Sequence, residues 1–309
     1  MSTSNIKLLN TIEWSKRFNF RKPVANGNYL EPALSNANII LQTILSAPFV
    51  WRWNRIVTGF VTIPGQQDYY LVTWSASAHL AVNTFVVDSN GNSQQVTTAG
   101  TTGTILPTWN SSPGSMTTDG SVVWTNLGSI NTPVSTSFDF GFIETSSVQD
   151  PTNTFKGTTT PKWYPLESKI CLELDSSNTT RPRTIAAQAD DGNGGITFRL
   201  MPVPDIAYPV AITIQEKPPV FDSLFQTWAP IPDEYSRIYN WGFLALFYLY
   251  SDDPRYGAAN QKFISQLLSV NEGLTETERN VFLGNWNSIT GAPVENMNRT
   301  QQGEQMRGL

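Results

Sequence analysis

The hydrophobic period changes once along this chain, and that change limits the fold more than any motif does. Between residues 138 and 216 apolar side chains recur at every second position: Phe138, Phe140 and Phe142; Ile170, Leu172 and Leu174; Ile196, Phe198 and Leu200; Val210, Ile212 and Ile214. Period two sends alternate side chains to opposite faces, so these read as antiparallel strands with one buried and one wet face. After Pro232 the period becomes 3.6. Asp233 can cap a helix whose core side is Tyr235, Ile238, Tyr239, Gly242, Phe243, Leu246, Phe247, Leu249 and Tyr250. Asp253-Pro254 offers an N-cap and a first-turn proline for a second helix, with Phe263, Ile264, Leu267 and Leu268 inward and Gly273 at its end. Thr275 and Glu278 form a capping box for a third, carrying Phe282, Trp286 and Ile289. Strands followed by helices indicate an α+β fold. The expected architecture is an α-helical bundle, built from an N-terminal helix and the C-terminal helices, packed with an antiparallel β-sandwich.

The first half of the chain fits that plan with one interruption. Residues 1–30 are mixed, with a basic cluster at Lys16, Arg17, Arg21 and Lys22. Pro32 opens a helical pattern through Leu34, Ala37, Leu41, Ile44 and Leu45, which Pro48 stops. Trp51 and Trp53, two apart, suggest entry into a strand, and residues 56–74 read as a hairpin turning at Pro64-Gly65. From Ser75 to Ile130 the composition becomes rich in Ser, Thr, Asn and Gly, with Asp88 and Asp119 as its only charges. Strand signals at 84–88, 93–98 and 121–126 alternate with turns at Asn90-Gly91, Pro113-Gly114 and Asp119-Gly120. This stretch reads as a small all-β module inserted at 75–130 into an adaptor-like core of residues 1–74 and 131–290. Residues 291–309 form an Asn/Gln/Gly-rich tail.

Composition removes several functions. A single cysteine, Cys171, allows no intrachain disulfide and no cysteine-based zinc site, and a single histidine, His79, allows no histidine-pair metal site. Twenty basic against 25 acidic residues give a net charge of −5, so the surface as a whole does not suit nucleic acid. There is no hydrophobic signal core near the start, and the longest apolar run, Trp241 to Tyr250, is about half of a membrane span. A soluble protein folding in a reducing cytoplasm is expected, and no cofactor or membrane insertion.

The chemically suggestive residues have plain alternatives. Asp190-Asp191 lies in a Gly-rich turn, where adjacent carboxylates point apart. The run Asp88-Ser89-Asn90-Gly91-Asn92 starts like a calcium loop but has Ser93 at position six and Ala99 at position twelve, so it reads as a hairpin turn. Asp252-Asp253 fits helix capping. His79 has no G-x-S-x-G near it, and Cys171 sits in an alternating strand, so no nucleophile is set up; phosphate-binding glycine loops are also missing. A glycan hydrolase would need two carboxylates spaced across a cleft, and the sequence offers no such pair. Trp124, in a strand, reads as the module's own core. Trp109, in a loop next to Pro107, stands between core and a stacking platform for sugar.

Four stretches in this order resemble the head-to-tail adaptor (connector or tail tubular) proteins of tailed bacteriophages. They are Trp51-Arg52-Trp53-Asn54-Arg55 with a strand ending in Pro64-Gly65-Gln66-Gln67-Asp68-Tyr69; Phe198-Arg199-Leu200-Met201-Pro202-Val203-Pro204-Asp205; Trp228-Ala229-Pro230-Ile231-Pro232-Asp233-Glu234-Tyr235; and Asp252-Asp253-Pro254-Arg255. The likeness covers about residues 30–74 and 138–290. Within the insertion, Thr97 to Gly103, Pro107-Thr108-Trp109 and Thr118 to Trp124 are similar to a small β module of phage tail proteins, some of whose relatives look like carbohydrate-binding modules.

The resemblance implies a virion protein that is not an enzyme. Identical subunits would close a ring, a dodecamer, between the portal and the tail or nozzle proteins and around the channel through which double-stranded DNA leaves. Trp51, Arg52, Trp53, Arg55, Arg299 and Arg307 would then contact neighbouring subunits or the portal, with the C-terminal tail docking on the portal. Trp109 and Trp124 would contact glycan or a partner protein. The alternative is a carbohydrate-binding tail protein that touches the host surface through the inserted module.

Overall fold

A computed structural model describes residues 4–18, 31–169, 179–192, 194–271 and 273–291. The expected alternation at 170–174, Cys171, Arg21, Lys22, Asn193 and the tail with Arg299 and Arg307 lie outside these residues. The chain mixes helices and large sheets and divides into two units: residues 1–54 with 218–309, and residues 55–217. The contact boundary therefore falls at 54/55 and 217/218, rather than around the 75–130 segment.

Among the described residues the first unit holds five α-helices: α1 (Leu8–Lys16), α2 (Ala33–Leu45), α3 (Ser236–Tyr250), α4 (Tyr256–Ser269) and α5 (Glu276–Thr290). α3 is its centre. Ile238, Tyr239, Phe243, Leu246 and Phe247 share one apolar core with Ile40 and Ile44 of α2, Phe263 and Leu267 of α4, and Phe282 and Trp286 of α5. A helix apolar on nearly every side must be surrounded, and α3 is. Gly242 makes the crowding feasible: a Cβ there would come within 2.7 Å of Ile40 Cδ1 and 2.9 Å of the Phe263 ring. Trp228 lies flat on Tyr239, centroids 4.2 Å apart, and donates its Nε1–H to Thr11 Oγ1 at 2.9 Å.

Several local expectations change here. α1 falls within the stretch left as mixed; at nine residues, with Leu8 and Ile12 buried, it offers too little periodicity to be recognised. Trp51 and Trp53 enter a 3-10 turn, Arg52–Asn54, instead of a strand. Asp233 sits in a 3-10 turn, and its carboxylate serves the N-terminal segment, accepting from Ser4 Oγ at 2.8 Å and from the backbone N–H of Asn5 and Ile6. Burial pushes that carboxyl up, but these hydrogen bonds together hold it below the ordinary value. α4 starts at Tyr256, after Asp253 has accepted the Arg255 N–H in a turn, and ends at Ser269, before Gly273. The capping box of α5 forms as read: Thr275 Oγ1 accepts the Glu278 N–H, and Glu278 accepts the Thr275 N–H. Ile289, expected inward, is 50% exposed.

The second unit contains every strand among the described residues: β1 (Arg55–Val61), β2 (Asp68–Leu71), β3 (His79–Leu80), β4 (Thr84–Val87), β5 (Asn92–Thr98), β6 (Gly100–Thr101), β7 (Met116–Asp119), β8 (Val122–Ser129), β9 (Phe140–Thr154), β10 (Pro161–Pro165), β11 (Glu167–Ser168), β12 (Thr184–Asp190), β13 (Ile196–Met201) and β14 (Pro209–Glu216). Sheet order is β1-β14-β9-β10 in a four-stranded sheet, β11-β12-β13-β2-β4-β5-β8-β7 in an eight-stranded sheet, and β3-β6 in a small pair. Pairing is antiparallel except for β11 with β12 and β2 with β4. Phe60, Val148, Val210, Ile212 and Ile214 of the first sheet share a core with Tyr69, Leu71, Phe85, Ile185, Ile196, Phe198 and Leu200 of the second.

The expected 56–74 hairpin does not form. β1 pairs with β14 and β2 pairs with β13 and β4, so the Pro64-Gly65 turn, with Gly65 at φ +80°, carries the chain from one sheet to the other. The reason is burial: Phe60 and Tyr69, stacked with centroids 4.5 Å apart, both belong inside the shared core. The 75–130 segment is an insertion in chain order, yet β4, β5, β8 and β7 extend the same sheet as β2. It keeps its own apolar cluster of Val86, Val96, Trp109, Val122 and Trp124, with Val72.

Candidate functional site

Three of the four stretches that carry the resemblance gather into two contact groups, one in each unit. In the helical unit, Trp51 is buried with its Nε1–H on the Ile44 carbonyl at 2.7 Å. Its ring lies 5.2 Å from Trp53 and 5.5 Å from Tyr235, while Trp53 is 6.1 Å from Tyr235. The motif at 51–55 therefore touches the motif at 228–235. The fourth motif folds on itself: Arg255 makes a two-point ion pair with Asp253, covers the Tyr248 ring and donates to the Phe18 carbonyl at 2.8 Å. Arg52 is exposed.

In the sheet unit the remaining motifs meet. Arg199 grips Asp68 with two hydrogen bonds, Nε to Oδ1 at 2.7 Å and Nη2 to Oδ2 at 2.8 Å. Gly65 N donates to the Pro204 carbonyl at 2.8 Å and Leu200 N to the Gln67 carbonyl at 3.0 Å. A two-point guanidinium–carboxylate pair fixes orientation as well as distance, so it pins the register of β2 on β13. Arg55, expected at a subunit contact, is held within its own unit by Glu144, through Nε to Oε2 at 2.8 Å and a second bond from Nη2. Both charged pairs were invisible as pairs in the sequence: Asp68 and Arg199 face each other on neighbouring β2 and β13, whereas Arg55 and Glu144 reach across β14, which lies between β1 and β9.

The inserted segment centres on a carboxylate rather than on a sugar platform. Trp124 is fully buried and Trp109, 8% exposed, meets it edge to face at 5.6 Å. Neither offers a free ring face for stacking. Asp119 Oδ2 accepts the indole N–H of Trp74 at 2.8 Å and of Trp124 at 3.3 Å, and Oδ1 accepts Gly103 N at 2.7 Å. Asp88 is likewise buried and takes the backbone N–H of Asn90 and Asn92 and the side-chain amide of Gln94 at 2.7, 2.9 and 2.7 Å. Asp190 and Asp191 accept Gly192 N and Gly195 N, closing the turn between β12 and β13. These aspartates hold loops, and among the described residues no group of three His, Cys, Asp or Glu could hold a metal ion.

One further cluster lies along β9 and β10. Asp150 accepts from Thr152 and, at 3.1 Å, from Arg181, whose guanidinium covers the Tyr164 ring at 3.6 Å. Burial raises the Asp150 carboxyl, and the Thr152 and Arg181 interactions outweigh it and hold it low. The Tyr208 hydroxyl donates to Asp205 at 2.6 Å.

Compared with protein-family models, curated proteins and solved structures, the chain finds no match in any of the three.

Proposed function

We propose that the chain is a structural virion protein, a subunit of a ring adaptor between the portal and the tail of a tailed bacteriophage. On this reading its helices form a bundle facing the portal and its two larger sheets a β-sandwich facing the tail or nozzle proteins. The closed ring, a dodecamer, surrounds the channel used for DNA ejection, with only transient contact to the double helix. The protein acts by packing and not by catalysis.

The observation that supports this most is the gathering of three of the four stretches into two contact groups. Residues 51–55 and 228–235 lie far apart in sequence and form one aromatic group, and residues 64–69 and 198–205 form one hydrogen-bonded, ion-paired group. Within each unit the paired segments thus occur together for a physical reason, since each completes a contact made by the other. An acidic balance of −5 also suits a bore through which DNA must slide without being held. No helix among the described residues is long and apolar enough to cross a membrane.

The test is binding to the portal protein of the same virion, read by native mass and by electron microscopy of negatively stained particles. A ring of this chain seated on the portal is the expected result, and removal of residues 291–309 should abolish it while leaving the circular dichroism unchanged. Absence of the chain from the neck of purified virions, together with no binding to the portal, overturns the proposal.

A further inference from the structure

The tip of the β4–β5 hairpin carries an Asn-Gly step. Asn90 is exposed, and Gly91 follows it at φ +75°. The carbon of an asparagine side-chain amide is an electrophile, and the backbone nitrogen of the next residue is a nucleophile close to it. Glycine has no side chain to bar the approach. The reaction needs no reagent except water. A bond forms from Gly91 N to Asn90 Cγ, the Cγ–Nδ2 bond breaks, and the proton lost by the nitrogen leaves with the amide as ammonia. Water then opens the five-membered imide at either carbonyl, leaving an aspartate or an isoaspartate in place of the asparagine.

The hydrogen bonds of this turn oppose that attack. The nucleophile is engaged: Gly91 N donates to the Asp88 carbonyl at 3.0 Å. The Gly91 carbonyl in turn accepts Ile130 N at 3.1 Å. Asp88 Oδ1 takes the N–H groups on both sides of Gly91, Asn90 at 2.7 Å and Asn92 at 2.9 Å. Gln94 Nε2 braces Oδ2 at 2.7 Å, and Asp88 N donates to the Asn92 carbonyl at 3.0 Å. Asp88 is 1% exposed, so water competes little for these bonds. To reach Cγ, the Gly91 nitrogen must give up its acceptor and its peptide plane must rotate, against the bonds at Asn90, Asn92 and Ile130 together.

We infer that Asn90-Gly91 is a latent self-modification site that Asp88 keeps closed. The location makes the closure matter. From Tyr69 to Phe138 the only Asp, Glu, Lys or Arg residues are Asp88 and Asp119, and both are buried. Reaction at Asn90 adds a negative charge two residues from the Asp88 carboxylate. Isoaspartate also lengthens the backbone by one carbon just beyond the point where Val87 faces Ser93. Both changes work against the bonds that fix the hairpin. The inference does not depend on the adaptor reading.

The test is peptide mapping by mass spectrometry, which reads the mass gained when NH2 is replaced by OH, with isoaspartate separated by chromatography. The full chain is incubated at mildly alkaline pH, native and unfolded in urea. Unfolded, Asn90 should react as fast as Asn26 and Asn193, the asparagines of the other two Asn-Gly steps. Native, it should react at least about tenfold more slowly than unfolded. Asp88→Ala should recover most of the unfolded rate in the native chain. Asp88→Asn, which keeps an oxygen for both N–H groups, should stay close to wild type. Gln94→Met removes only the brace on Oδ2; its intermediate rate serves as the reading if Asp88→Ala does not fold. Equal rates for native and unfolded wild type, an Asn90 that stays intact in the unfolded chain, or a folded Asp88→Ala as slow as wild type (Gln94→Met where the former does not fold) overturns the inference.

Discussion

The two units handle buried indole N–H groups in different ways. In the helical unit three find uncharged acceptors, Trp51 the Ile44 carbonyl, Trp228 the Thr11 hydroxyl and Trp286 the Asn260 amide, while that of Trp53 is buried without a partner. In the sheet unit Trp74 and Trp124 share one carboxylate, Asp119, which also takes the Gly103 N–H. Helices satisfy their own backbone, so a buried donor there is an isolated problem with a local answer. Loops between strands leave backbone N–H groups without ladder partners, and a carboxylate can collect several of them together with a side-chain donor. Asp88 takes two backbone N–H groups with side-chain amides, Asp119, Asp150 and Asp191 each take one backbone N–H with a side-chain donor, and Asp190 takes one backbone N–H. The comparison teaches that these five aspartates serve to close loops, whereas Asp68 and Glu144 of the same unit pair with arginines of other strands.

The sharpest way to break the helical half of this comparison is Trp228→Ala. It removes a fully buried ring stacked at 4.2 Å on Tyr239 and leaves a cavity at the centre of the core. A loss of about 3–5 kcal/mol in denaturant unfolding is expected. A loss below about 1 kcal/mol would mean that Trp228 is not a core anchor. The sheet half breaks at Asp119→Ala, which strands two indoles and one backbone N–H at once. The expected cost is about 3 kcal/mol, with a change in the near-ultraviolet circular dichroism of the two indoles. Asp119→Asn should recover part of it, since a carbonyl oxygen can still accept both indoles. If Asp119→Ala costs no more than an exposed substitution, the carboxylate is not the node described.

What the sequence made legible follows from how local each signal is. The alternation of Ile196, Phe198 and Leu200 forecast β13 because only one side of that strand faces the core, and the Thr275–Glu278 box forecast the start of α5 because a cap is written within four residues. The partners of β1 and β2 could not be read the same way. Strand pairing depends on which inner faces meet, and that was decided by Phe60 and Tyr69 entering one core from different sheets. The role of Asp119 was hidden because its donors lie 45, 16 and 5 residues away in sequence.

The smallest expected effect tests whether the loop-closing carboxylates act on their neighbours' protons. Tyr70 donates its hydroxyl to Asp191 at 2.5 Å, at the turn that Asp191 also closes through Gly195 N. Burial, then the hydrogen bond to Asp191 and its charge, push the phenol up to about 12. The neutral phenol is thus favoured by the fold. Its contribution is complete below the unfolded value of about 10 and is lost as pH rises through the folded value. Because Tyr70 is partly exposed, screening limits the effect to roughly 0.5 kcal/mol. Denaturant midpoints at about pH 9 and pH 11.5 should therefore fall further for wild type than for Tyr70→Phe, which has no proton to lose. Asp191→Asn should bring the phenol back toward its ordinary range while the ring stays in place. Equal falls in wild type and Tyr70→Phe would show that the carboxylate closes the turn without acting on the phenol, and the contrast between the units would then rest on Asp119.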